Sequence, residues 1–112
     1  MDAVTIAEFD RLIRDRLAEL EVEELATSDD RKPVELDQQS VGRLSRMDAL
    51  QVQAMATAQS RRRAAERSRL TTALKRIGED DYGWCDDCGD EIGEGRLRID
   101  LAATRCVDCA GA

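Results

Sequence analysis

The sequence predicts a mainly α-helical protein: a long antiparallel helical hairpin of coiled-coil type, with a small four-cysteine module at its base. Three observations lead there. Two stretches repeat apolar residues at helical spacing with no glycine or proline inside them. A polar segment carrying Pro33, the chain's one proline, separates them. All four cysteines fall within residues 85–109. The chain therefore divides into a hairpin over residues 1–79, with a tip loop at about 30–47, and a cysteine module over residues 80–112.

Composition limits what such a chain can do. It has 112 residues, 37% of them charged, and its aromatic residues are Phe9, Tyr82 and Trp84. That favours long helices over a large compact core. The net charge is −7 and the pI about 4.6, so phosphate backbones repel the chain as a whole and a protein partner with a basic surface is the natural expectation. The sequence has no histidine, no phosphate-binding glycine loop and no nucleophile beside a base, which excludes the common enzyme classes. No run approaches the ~18 apolar residues of a membrane span. The first twenty residues lack a signal-peptide pattern, so a cytoplasmic protein is expected, where disulfides are rare.

The first helix is predicted from residue 5 to about residue 29. Ile6, Phe9, Ile13, Leu17 and Leu20 recur at three and four residues and form its apolar stripe. Asp2 or Thr5 can cap its start, and Glu8 stands at capping-box distance from Thr5. Glu19, Glu21, Glu23 and Glu24 crowd its end and read as a solvated face. Pro33 forbids helix through the next segment, leaving Val34 and Leu36 isolated in polar sequence. A second helix is predicted over residues 45–77. Its stripe reads Leu50, Ala54, Ala58, Ala65, Leu70, Leu74 and Ile77, so a partner helix can approach its alanine middle closely. Neither helix can cover its stripe alone, and one connection lets them pair only antiparallel.

The second helix is also basic, with Arg61, Arg62, Arg63, Arg67, Arg69, Lys75 and Arg76. These either pair with first-helix glutamates or meet a partner or an anion, and Arg62, Glu66 and Arg69 share one face. At the start of that helix Asp48 reads either as a charge favoured by the macrodipole or as the working group of the tip.

The cysteine module carries the chemistry. Cys85 and Cys88 are two residues apart, as are Cys106 and Cys109, and seventeen residues lie between the pairs. Each Cys-x-x-Cys turn aims two sulfurs at one point, so four thiolates can surround one zinc ion. Gly89 stands where a positive φ is useful. Four sulfur ligands leave no position for water or substrate, which makes the site structural. Two disulfides or free thiols are the competing reading, and a thioredoxin-like redox pair would need a βαβ context that is missing. Oxidation of exposed thiolates would eject the metal, so a zinc-thiol redox sensor is an alternative function. Tyr82, Trp84, Ile92, Leu97, Ile99 and Leu101 are expected to pack around the site and against the start of the first helix.

These residues resemble the DksA/TraR family. The likeness rests on Tyr82, Gly83, Cys85, Cys88, Gly89, Ile92, Arg96, Leu97, Cys106 and Cys109, and the preceding hairpin agrees with it in order. The resemblance implies a bacterial transcription factor that binds RNA polymerase instead of DNA and inserts its acidic coiled-coil tip into the secondary channel. It implies guanosine tetraphosphate as a co-effector and the stringent response as context. Onto this sequence it places the tip at Ser45, Arg46, Met47, Asp48 and Ala49, and nucleotide or polymerase contacts at Arg62 and Arg69. The sequence departs from the family's Asp-x-x-Asp-x-Ala tip in offering one aspartate. It also has Ala110 in place of a basic residue and Leu101 in place of proline, and it stops at Ala112, ahead of a further helix. A shorter paralogue is the expectation. The alternative, a nucleic-acid-binding zinc ribbon, would need a basic finger, whereas Asp86, Asp87, Asp90, Glu91 and Glu94 surround the first cysteine pair.

Overall fold

The structure, a computed structural model, describes residues 1–32 and 43–111. Most of the tip loop expected at about 30–47, with Val34 and Leu36, lies outside the described residues. The elements in order are α1 (Ala3–Ala26), a 3-10 turn (Asp29–Arg31), α2 (Arg43–Gly78), α3 (Glu94–Ile99) and α4 (Val107–Ala110). Among the described residues the extended backbone reduces to one isolated antiparallel bridge, Trp84 with Glu91. No helix there is long and apolar enough to cross a membrane.

Capping fixes the helix ends. The Asp2 carboxylate accepts the Thr5 N–H at 2.8 Å, satisfying a donor with no partner inside the helix. Asp2 is thus the cap, and Glu8 turns outward to Arg98 instead. α2 begins two residues before the expected Ser45. Beyond α2, Asp80 adopts φ +60 and the N–H groups of Asp81 and Tyr82 both reach the Arg76 carbonyl. A left-handed residue just past the helix reverses the chain and delivers Tyr82 toward the cysteines.

The described chain forms two compact units, Met1–Ala18 with Arg67–Ala112, and Glu19–Glu66. The division cuts both long helices. In the first unit the core is Phe9 and Ile13 of α1, Leu70 and Ala73 of α2, and Tyr82, Cys85, Ile92, Leu97, Ala102 and Ala103 of the C-terminal segment. Phe9 meets Tyr82 with ring centroids 5.9 Å apart and lies under the Arg98 guanidinium at 5.2 Å, contacts that tie α1 to the finger. Two residues expected in this core are outside it. Trp84 is 46% exposed and Ile99 is 90% exposed.

In the second unit α1 and α2 run antiparallel. The Glu24 carboxylate accepts hydrogen bonds from Ser60 and Arg63, while the later carbonyl of Lys32 accepts from the earlier Gln53. The seam differs from the expected stripe. Ala56 is buried, but Leu50, Ala54, Ala58 and Ala65 are exposed. The true seam runs through Gln53, Ala56, Ser60 and Arg63, so its spacing is helical but three of these four members are polar. Glu24, expected on a solvated face, is a seam residue. Its neighbours Ser60 at 2.5 Å, Arg63 at 2.8 Å and Arg31 at 3.0 Å hold its carboxyl below the usual carboxylate range.

Candidate metal centre

Two short turns present the four sulfurs. In the first, the Cys85 N–H reaches the Asp90 carbonyl at 2.8 Å and the Gly89 N–H returns to the Cys85 carbonyl at 3.0 Å. Gly89 takes φ +78, a conformation that costs glycine nothing and closes the loop around Cys88. In the second, Cys106 is the N-cap of α4, whose single turn brings Cys109 beneath it. The Asp86 N–H donates to the Thr104 carbonyl at 2.8 Å and stitches one turn to the other.

Basic side chains lock this arrangement from outside. Arg105 bonds the Asp87 carboxylate at 2.6 Å and the Cys109 carbonyl at 2.8 Å, spanning both turns. Arg96 holds the Arg105 carbonyl at 2.7 Å. Arg76, at the end of α2, donates to the carbonyls of Asp81 and Trp84 and to Asp86. Composition concealed these roles, because a solvated arginine and a bracing one are the same letter. The one legible signal was Arg105 lying directly beside Cys106.

The four sulfurs lie within 4.8 Å of one another and form no disulfide. A tetrahedral zinc with ~2.3 Å bonds to sulfur requires sulfur–sulfur edges of about 3.8 Å. Cys88 and Cys106 are already 3.7 Å apart, so the donors fit the ion. Their acidities fit it as well. N–H groups of Cys88 and Cys106 directed at the Cys85 sulfur lower that thiol to about 6. At Cys88 the Asp90 N–H pulls downward, but the adjacent sulfurs of Cys85 and Cys106 leave it raised. The sulfurs of Cys106, Cys85 and Cys88 push the Cys109 thiol far up. Four thiolates repel one another, and a dication removes that repulsion. The centre is that of one structural zinc ion, which Cys85, Cys88, Cys106 and Cys109 would hold. When bound, the ion supplies four bonds that fasten the turns and offers no open position for chemistry.

The other sequence-derived residues are dispersed. Ser45, Arg46, Met47, Asp48 and Ala49 lie on the first turns of α2, in the unit Glu19–Glu66, with Ser45, Met47 and Asp48 exposed. Arg62 is exposed on α2. Arg69 belongs to the finger-bearing unit and gives its guanidinium to Asp100 at 2.8 Å.

Comparison with known proteins agrees with this geometry. Residues 80–112 match the prokaryotic dksA/traR C4-type zinc finger. The RNA polymerase-binding transcription factor DksA of Haemophilus influenzae is 44% identical over 41 residues, which are 37% of this chain and 28% of that protein. The protein of the same name from Escherichia coli K12 is 39% identical over 41 residues, 37% of this chain and 27% of its own. The aligned part thus spans little more than a quarter of those relatives. The structure of transcription factor DksA2 from Pseudomonas aeruginosa superposes with a TM-score of 0.80 over 98% of this chain and 83% of its own, at 21% identity. Residues 80–112 are thus a zinc finger of the prokaryotic dksA/traR C4 type, and almost the whole chain shares the fold of transcription factor DksA2.

Proposed function

We propose that the protein is a non-enzymatic transcription regulator that binds RNA polymerase directly, with its zinc finger as a structural base and residues 45–49 as its working tip. The observation that carries the reading is the four-sulfur centre, set in a finger and a fold that similar proteins named as RNA polymerase-binding factors and as transcription factor DksA2 share. Exposure of Asp48 supports its role at the tip, where a carboxylate would act on the polymerase through the secondary channel. The finger supports a protein partner over DNA. Asp86, Asp87, Asp90, Glu91 and Glu94 are all exposed around it, and a surface of that sign repels phosphates. Such a partner places the protein in the cytoplasm. Guanosine tetraphosphate is the co-effector this reading brings with it, and at Arg69 it would compete with Asp100 for the guanidinium.

The test uses zinc-loaded protein and immobilised bacterial RNA polymerase. Retention of the wild-type chain is expected, together with altered transcription from a ribosomal promoter in vitro. Asp48→Asn should bind equally and lose the regulatory effect. Absence of any retention would end the polymerase reading, whereas normal regulation by Asp48→Asn would end the tip assignment alone.

A further inference from the structure

The finger-bearing unit holds a cavity of about 450 Å³, a volume in the range of ligand pockets. Ile6, Ile77 and Trp84 give it apolar walls, and Asp80, Glu91 and Glu94 give it negative charge. No lysine or arginine is among the residues that line it. Trp84 and Glu91 are bridge partners, so an indole 46% exposed stands beside a carboxylate 65% exposed. Cross-strand partners bring their side chains to within about 5 Å of each other.

A second observation shows what the pocket accepts. The Met1 ammonium lies 3.7 Å from Glu91, and its thioether chain lies against Gly83, where an added Cβ would come within 2.5 Å of the Met1 methyl. An aliphatic stem and a cation are therefore already side by side at this carboxylate. Their ion pair is long and half in water, so it holds weakly.

We propose that this cavity docks an arginine side chain presented by a protein partner. The stem lies along Ile6 and Ile77, and the guanidinium stacks on Trp84 and shares its donors between Glu91 and Glu94. Arginine fits better than lysine because a planar guanidinium both stacks on an indole and forks to carboxylates, whereas a hydrated ammonium does neither well. The inference needs no polymerase and stands apart from the function proposed above.

Trp84 is the chain's one tryptophan, so its fluorescence reports this cavity alone. Zinc-loaded full-length protein is titrated with a capped Gly-Arg-Gly peptide, with its citrulline counterpart, which has the same shape without the charge, and with spermidine. A saturable emission change with the arginine peptide is expected. Binding should weaken about threefold or more with citrulline and with Glu91→Gln, a loss typical of exposed charge pairs and ring contacts. Zinc content of the variant, unchanged, shows that the finger remains folded. Equal responses to arginine and citrulline, or unaltered affinity in Glu91→Gln, would overturn the proposal. Spermidine binding much more tightly than the arginine peptide would also overturn it, in favour of a site for free polycations.

Discussion

Tyr82 offers the cleanest measurement of how the finger is packed against the helices, because it is the chain's one tyrosine. It is 4% exposed, its ring packs on Phe9, and its hydroxyl donates to the Leu101 carbonyl at 2.7 Å. Burial, aided by the Asp100 carboxylate, pushes the phenol from 10.0 up to about 12. The fold therefore keeps the proton while the unfolded chain releases it. The stabilisation is complete below pH 10 and fades as pH climbs toward 12. At about 1.36 kcal/mol per pKa unit, two units amount to roughly 2.7 kcal/mol, of which about half is gone by pH 11. At pH 11 the phenolate absorbance of zinc-loaded protein should show roughly one tenth ionisation, against about nine tenths in denaturant. Urea melts should show the wild type losing about 1.4 kcal/mol more than Tyr82→Phe between pH 9 and pH 11. The variant itself should cost about 1 kcal/mol at pH 7 through the unmade bond to Leu101. Ordinary ionisation at pH 11 in a chain that still holds its helical signal would refute the burial argument.

Three further outcomes follow from the geometry. Replacing Cys88 with serine, or stripping the metal with a chelator, should unfold the C-terminal segment, because its own apolar core is small; far-ultraviolet circular dichroism and proteolysis of residues 80–111 check this, with one zinc per chain in the wild type. Gly83→Ala should cost about 1–2 kcal/mol, since Gly83 holds φ +90 and the left-handed region strains any residue with a Cβ. The Met1 methyl it would meet is the end of a flexible side chain and can move, so thermal melting of a Gly83→Ala/Met1→Ala pair should recover little. Glu24→Gln should lower the melting temperature at neutral pH and flatten its fall in acid. Ser60 and Arg63 depress the Glu24 carboxyl, so its contribution is present above the ordinary carboxylate range and lost as pH drops through the lowered value.

The cysteine spacing carried the metal centre completely, because a tetrahedral ion constrains sequence more tightly than packing does. The stripe of α1 was equally legible, since Phe9, Ile13 and Leu20 are strong hydrophobes at unambiguous spacing and all are buried. The seam of α2 was not. Alanine fits a helix on any face, so counting apolar letters drew the stripe through Ala54, Ala58 and Ala65, whereas burial follows Ala56 and the polar Ser60 and Arg63. Their partners on α1 decide that, and no single-helix pattern contains them. Trp84 and Ile99 were misjudged for the opposite reason. Hydrophobicity favours an interior position, but the bridge at Trp84 and the end of α3 at Ile99 leave both side chains outside the small core.

The cluster at Glu24 has a consequence for alignment. Small aliphatic residues meeting small aliphatic residues would tolerate one helix sliding along the other by a turn or two, with near-equal energies at each stop. A carboxylate that finds Ser60 and Arg63 together at one setting, and loses both when displaced, acts as a detent. The residues beyond it on α2 are thereby always offered at the same height, whatever the length of chain that joins the two strands.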